Sequence, residues 1–146
     1  MSIFVVDASV VIKWFVPEVH SDAARRLLVQ PHQYMAPELL FAEIANTIWK
    51  KTRRGELTAS RGQQLVEDIA RAAVEAVPCR DLIEDAYALA SATARTAYDA
   101  MYLALAVRLR TRMITADERL VDALATFPAL AAHIQTVQSF NSGLPR

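Results

Sequence analysis

The run Ile3-Phe4-Val5-Val6 is apolar at every position and stops on Asp7. A strand with no polar side to offer water is covered on both faces, which is the position of an interior strand in a parallel sheet. The rest of the chain alternates between helical and strand patterns. Ser21-Asp22 suits the start of a helix running through Leu27 and Leu28. Pro37 suits a helix start, with Leu40, Phe41, Ile44 and Ile48 recurring on one side until Arg54-Gly55 ends it. Further helices are expected from about Thr58, with Leu65 and Ile69 inward, and from Asp81, with Ile83, Ala86, Tyr87 and Ala90. The strongest helix is expected to start at Asp99 and to carry Leu103, Ala106 and Val107. Residues 74–78, 113–115 and 134–137 read as short strands, with a helix from Glu118 between the last two. This alternation predicts an α/β protein, a three-layer α/β/α sandwich around a mainly parallel sheet of four or five strands.

At 146 residues the chain forms one domain, a size that buries about 68–70% of its unfolded surface. We expect that domain to span residues 1–138, with a loose tail over residues 139–146. Sixteen basic residues balance sixteen acidic ones. No overall field draws in nucleic acid, so any binding of RNA or DNA has to use local patches. A single cysteine, Cys79, cannot form an internal disulfide, and no segment has the length of a membrane span or the pattern of a signal peptide. The expectation is a cytoplasmic protein with no membrane attachment.

Several chemistries lack their residues. The three glycines are Gly55, Gly62 and Gly143, and none follows the first strand, which excludes a Rossmann fingerprint and a Walker loop. His20, His32 and His133 are scattered without a partner at zinc-ligand spacing. Cys79 has neither a CxxC partner nor a nearby His, and Ser9 is not in a nucleophile elbow.

What remains is acidic. Asp7 closes the first strand, Asp117 follows Met113-Ile114-Thr115, Asp99 opens a helix, and Glu43 sits inside one between Ala42 and Ile44. Singly, each has an ordinary explanation: Asp99 and Asp117 suit helix N-caps, Asp7 suits the turn after its strand, and Glu43 suits a solvated helix edge. Together they are more specific, because strand ends in such a sheet converge on one edge. Carboxylates about 4 Å apart repel by roughly 4 kcal/mol per pair at an effective dielectric near 20. A hard divalent cation relieves that repulsion, and a carboxylate-held Mg²⁺ or Mn²⁺ is a device for phosphate chemistry.

Four blocks carry a resemblance: Val6-Asp7-Ala8-Ser9-Val10-Val11, Pro37-Glu38-Leu39-Leu40-Phe41-Ala42-Glu43-Ile44-Ala45-Asn46, Tyr98-Asp99-Ala100-Met101-Tyr102-Leu103-Ala104-Leu105-Ala106, and Ile114-Thr115-Ala116-Asp117-Glu118-Arg119-Leu120. The chain resembles the PIN-domain ribonucleases, in particular the VapC-type toxins of VapBC toxin–antitoxin pairs. The resemblance implies that Asp7, Glu43, Asp99 and Asp117 are catalytic and hold one or two Mg²⁺ or Mn²⁺ ions. It gives Ser9, Asn46 and Thr115 supporting roles, through hydrogen bonds or bound water. It further implies RNA as substrate, 5′-phosphate and 3′-hydroxyl ends as products, a homodimer, and a small VapB-like antitoxin whose tail crosses the groove.

Lys50, Lys51, Arg53 and Arg54 form the densest basic cluster, suited both to a solvated helix C-terminus and to a phosphate or antitoxin contact. The apolar segment 10–16 and Trp49 suggest core or a dimer surface. A phosphoryl-accepting receiver domain needs paired acids at the first strand's end and a late Lys, neither of which is apparent. A haloacid-type phosphatase wants Asp-x-Asp where this chain has Asp7-Ala8-Ser9. A PIN scaffold without catalysis, acting through protein contacts, is the main alternative to an active nuclease.

Overall fold

The computed structural model describes residues 1–140. Strands β1 (Ile3–Val6), β2 (Gln33–Pro37), β3 (Val74–Val77), β4 (Met113–Thr115) and β5 (Ile134–Thr136) form one sheet in the order β3-β2-β1-β4-β5. Every neighbouring pair is parallel. Helices α1 (Ala8–Phe15) and α2 (Ser21–Arg26) connect β1 to β2, and α3 (Leu39–Arg53) and α4 (Ala59–Ala70) connect β2 to β3. Helices α5 (Ile83–Thr93) and α6 (Ala97–Arg108) lead to β4, α7 (Glu118–Leu124) and α8 (Pro128–Ala131) to β5, and α9 (Val137–Phe140) closes the described chain. The first two crossovers step to one side of β1 and the next two return past it to the other. Right-handed connections then send helices to both faces, giving the expected α/β/α sandwich.

The apolar character of β1 matches its place. It pairs with β2 on one side and β4 on the other, and Phe4, Val5 and Val6 are all buried. Segment 10–16 packs inward as well. Val10, Val11, Ile12, Trp14 and Val16 are buried, and Trp14 Nε1 donates to the Ala24 carbonyl at 2.8 Å. That segment therefore supplies core and not the dimer surface it suggested, whereas Trp49 is 52% exposed.

Three local expectations change. Pro37 ends β2, in register with Val77, instead of opening a helix. The residue before a proline is pushed toward extended backbone, which draws Ala36 into the strand, and α3 starts two residues later at Leu39. Ser21 opens α2 but does not cap it; its hydroxyl accepts from the Glu18 amide and donates to the Val16 carbonyl. Helix α6 starts before Asp99, on a Thr96 cap. The boundary expected after residue 138 falls inside α9, where Phe140 is buried and meets the Phe4 ring edge-on at 5.0 Å. Residues 141–146 of the expected tail lie outside the described residues. Among the described residues no helix is long and apolar enough to cross a membrane.

Candidate active site

The strand order reverses beside β1: the chain runs from β1 outward to β3, then returns to place β4 on β1's free side. In an open parallel sheet, the crevice beyond the carboxyl ends of the strands at such a point is where ligands bind. Asp7 follows β1 there, Asp117 follows β4 by two residues, and Glu43 lies on the helix that follows β2.

Asp7 is 9% exposed and is held by its neighbours. Its amide donates to the Ile114 carbonyl at 3.3 Å, tying the end of β1 to the end of β4. Its side chain caps α1, Oδ1 accepting from the Val10 amide at 3.3 Å and from the Ser9 hydroxyl at 2.5 Å. Ser9 Oγ also accepts from the Ala116 amide at 3.0 Å and lies 3.4 Å from Thr115 Oγ1. Thr115, fully buried, accepts from the Asp117 amide at 3.0 Å. Asp117 caps α7 through the Leu120 amide at 3.2 Å and is exposed. Ser9 and Thr115 thus stitch together the two segments that carry Asp7 and Asp117.

The other two acids come from helices. Glu43, in the second turn of α3, is only partly exposed and accepts a hydrogen bond from the Tyr102 hydroxyl at 2.5 Å. Asp99 is the third residue of α6. Its backbone amide donates to Thr96 Oγ1 at 3.1 Å, and its carboxylate meets the Arg95 guanidinium at 3.8 Å.

The acids feel one another's charge. Burial pushes Asp7 up to about 6, against the pull of the Ser9 and Thr115 hydroxyls and the Val10 amide, and the Glu43 charge adds to the rise. Burial also raises Glu43, against its bond from Tyr102, with the Asp99 charge adding. Asp99 is raised by burial, partly offset by Arg95, with the Asp117 charge adding. The like-charge interactions therefore run in an unbroken string, Asp7 to Glu43 to Asp99 to Asp117. Burial and the facing carboxylates push the Tyr102 phenol far up, so it stays a neutral donor.

Among the described residues, no three His, Cys, Asp or Glu side chains are drawn close enough to cage an ion. The donor set nonetheless fits a small hard cation. All four candidate ligands offer carboxylate oxygen, they repel in its absence, and Arg95 is the one basic partner they have among the described residues. Mg²⁺ usually keeps several waters and takes only one or two carboxylates directly, so a closed cage is not required.

Of the residues anticipated from sequence, Asp7, Ser9, Thr115 and Asp117 form one bonded cluster, and Glu43 and Asp99 couple to it through charge. Asn46 is not drawn in: it is exposed one turn past Glu43 on α3 and bonds none of the acids. Tyr102 and Arg95 were not anticipated. A readable signal for Tyr102 was its spacing, because a residue three after Asp99 on a helix shares that face.

Comparisons with known proteins give the family and the fold. Residues 4–125 match the model of the PIN domain, and the chain belongs to that family. It is 34% identical over 128 residues to Ribonuclease VapC3 of Pyrobaculum aerophilum, spanning 86% of this chain and 95% of the relative. It is 32% identical over 102 residues to Ribonuclease VapC9 of Mycobacterium tuberculosis, spanning 70% and 79% of the two chains. Among solved structures, a toxin–antitoxin complex from Klebsiella pneumoniae shares the fold, with a TM-score of 0.64 at 18% identity over 94% of this chain and 98% of that one.

Proposed function

We propose that this chain is a metal-dependent endoribonuclease that hydrolyses RNA phosphodiester bonds as the toxin of a type II toxin–antitoxin pair. The observation that supports it best is the string of four coupled carboxylates, gathered from four separate segments at the switch point of a parallel sheet. RNA as substrate is supported by the ribonuclease relatives, which cover most of the chain.

Asp7, Glu43, Asp99 and Asp117 are the side chains that hold one or two Mg²⁺ or Mn²⁺ ions. When bound, such an ion lowers the pKa of a coordinated water and offsets charge developing on the phosphate oxygens. Ser9 fixes the Asp7 carboxylate in one orientation through its 2.5 Å bond. Thr115 fixes the backbone that carries Asp117. Asn46, exposed beyond Glu43, supports the site through bound water. The partners are RNA, a small VapB-like antitoxin and a second copy of the chain, and the setting is the cytoplasm. Antitoxin pairing is supported by the likeness to a toxin–antitoxin complex, and a small antitoxin-like reading frame beside this gene is the simplest check of it.

The deciding experiment incubates the purified chain with labelled single-stranded RNA in Mn²⁺ or in EDTA, beside Asp7→Asn and Glu43→Gln. Cleavage that needs Mn²⁺ and disappears in both variants is the expected result. Cleavage in EDTA, or undiminished cleavage by both variants, overturns the assignment, and no cleavage by the wild-type chain leaves the non-catalytic scaffold standing.

A further inference from the structure

Glu43 is the longest of the four acidic side chains, and one side-chain donor holds it. Asp7 Oδ1 accepts from two donors, the Ser9 hydroxyl and the Val10 amide, and Asp117 caps its own helix, whereas the carboxylate of Glu43 meets the Tyr102 hydroxyl, carried on a different helix. No lysine or arginine pairs with Glu43 among the described residues. The donor itself is firmly placed. Tyr102 is 3% exposed and sits in the apolar core cluster with Leu103 and Leu105, and its hydroxyl also lies against the Ala8 backbone and near Asp7. An aromatic ring has only two side-chain torsions to settle, so the phenol is a rigid post.

We propose that Tyr102 is a positioning residue, one whose hydroxyl holds Glu43 Oε1 at 2.5 Å and leaves the second oxygen presented to the bound cation. The inference rests on the metal-site reading above. Its location supports it. Tyr102 lies one turn after Asp99 on α6, so a single helical face supplies one carboxylate and fixes another that sits 59 positions earlier in the chain. The chemistry of the donor supports it too. A lysine or arginine in that place would neutralise Glu43 and compete with the cation. A phenol is an uncharged donor at physiological pH, so it orients the carboxylate and leaves its full charge available. Hydrogen-bond partners of metal ligands commonly contribute 10–100-fold in metal affinity or activity.

The test uses the full chain with Mn²⁺ alone as probe, free Mn²⁺ being counted by electron paramagnetic resonance. Tyr102→Phe keeps the ring and removes the hydroxyl. The expected result is Mn²⁺ affinity lowered 10–100-fold, kcat on RNA lowered at fixed metal, and KM for RNA unchanged. In a Glu43→Gln background the same change should have no further effect on Mn²⁺ affinity, because Tyr102 acts through that carboxylate. Wild-type Mn²⁺ affinity in Tyr102→Phe overturns the proposal. If Tyr102→Phe fails to fold, Glu43→Asp takes its place: it keeps the charge but draws the carboxylate out of reach of the phenol, and unchanged Mn²⁺ affinity there also overturns it. The metal-site reading fails separately, and visibly, if Glu43→Gln binds Mn²⁺ as tightly as the wild type.

Discussion

Thr96 caps the helix on which Asp99 stands. Its Oγ1 accepts from the Asp99 amide at 3.1 Å, so Asp99 contributes a backbone donor to the cap and its carboxylate is spared that task. Replacement of Asp99 by Asn therefore leaves the helix start untouched and subtracts one negative charge from the acidic set. We expect RNA cleavage by Asp99→Asn to fall by orders of magnitude, with metal-free stability level or higher. Cleavage assays at limiting Mn²⁺, paired with thermal melts in EDTA, check both halves. Full activity would remove Asp99 from the site.

Metal-free stability should fall as pH rises through the acid range. Asp7 is raised from 3.8 to about 6 in the folded chain, chiefly by burial, so between those values the native state holds a proton that the unfolded state has released. Stability then declines with rising pH over this window and levels off above it. At 1.36 kcal/mol per unit the whole effect is about 3 kcal/mol. Urea unfolding in EDTA at pH 4, 5 and 7 measures it. Asp7→Asn, which keeps the cap on α1, should be the more stable protein at pH 7 and lose most of that advantage at pH 4.

Divalent metal should raise the melting temperature by several degrees. A ligand present at about 100 times its dissociation constant adds roughly 2.7 kcal/mol to a fold that binds it only when native. Melts in EDTA and in millimolar Mn²⁺ or Mg²⁺ make the comparison, and superimposable curves would count against a cation among these carboxylates.

The basic end of α3 divides into two kinds of residue. Lys51 is taken up by Glu18 at 3.0 Å, in a bridge that also holds Lys13 and links α1 to α3. Lys50 is exposed without an acidic partner among the described residues, and Arg53 lies over the exposed Trp49 ring at 5.1 Å. If RNA runs along α3, Lys50→Ala should weaken RNA binding with little effect on kcat. Each lost phosphate contact should flatten the dependence of log affinity on log salt by about 0.7. Binding of a catalytically inactive Glu43→Gln chain to short RNA at several salt concentrations reads the slope, and an unaltered slope assigns Lys50 to solvent.

A homodimer, if the chain forms one, would not use segment 10–16, which lies in the core. Trp49 stays exposed, and α5 adds Ile83 at 56% and Tyr87 at 73% exposure, one turn apart. A stable interface buries on the order of 1,600 Å² in total. Light scattering at tens of micromolar protein should give a dimer that Tyr87→Asp reduces to a monomer, and a wild-type monomer would end the idea.

The acids were legible in the sequence because each stands beside an element whose type is written in its apolar pattern: Asp7 after an unbroken apolar strand, Asp117 after another. Parallel strands put their carboxyl ends on one edge, so position along the chain translated into position in space. Strand β2 was hidden by Pro37, whose preference for helix starts is as strong as the extended backbone it imposes on Ala36. Tyr102 was hidden because it lies in the run Tyr102-Leu103-Ala104-Leu105-Ala106, where an aromatic reads as core. It is core by burial, and only the fold reveals that its hydroxyl ends at Glu43. Asn46 came from the family resemblance; the structure places it exposed one turn past Glu43, with no direct bond to the acids.

The central place of β1 has a consequence in time. One side of β1 pairs with β2, complete at Pro37, but the other waits for β4, which begins at Met113. At roughly 5–20 residues per second of synthesis, the ribosome needs about 4–15 seconds to make what lies between them. During that interval Asp7 has no Thr115 beside it, and Asp117 has not yet been made. A growing chain shorter than 117 residues therefore carries no complete acidic set, and the site can assemble only once β4 and the turn after it have been made.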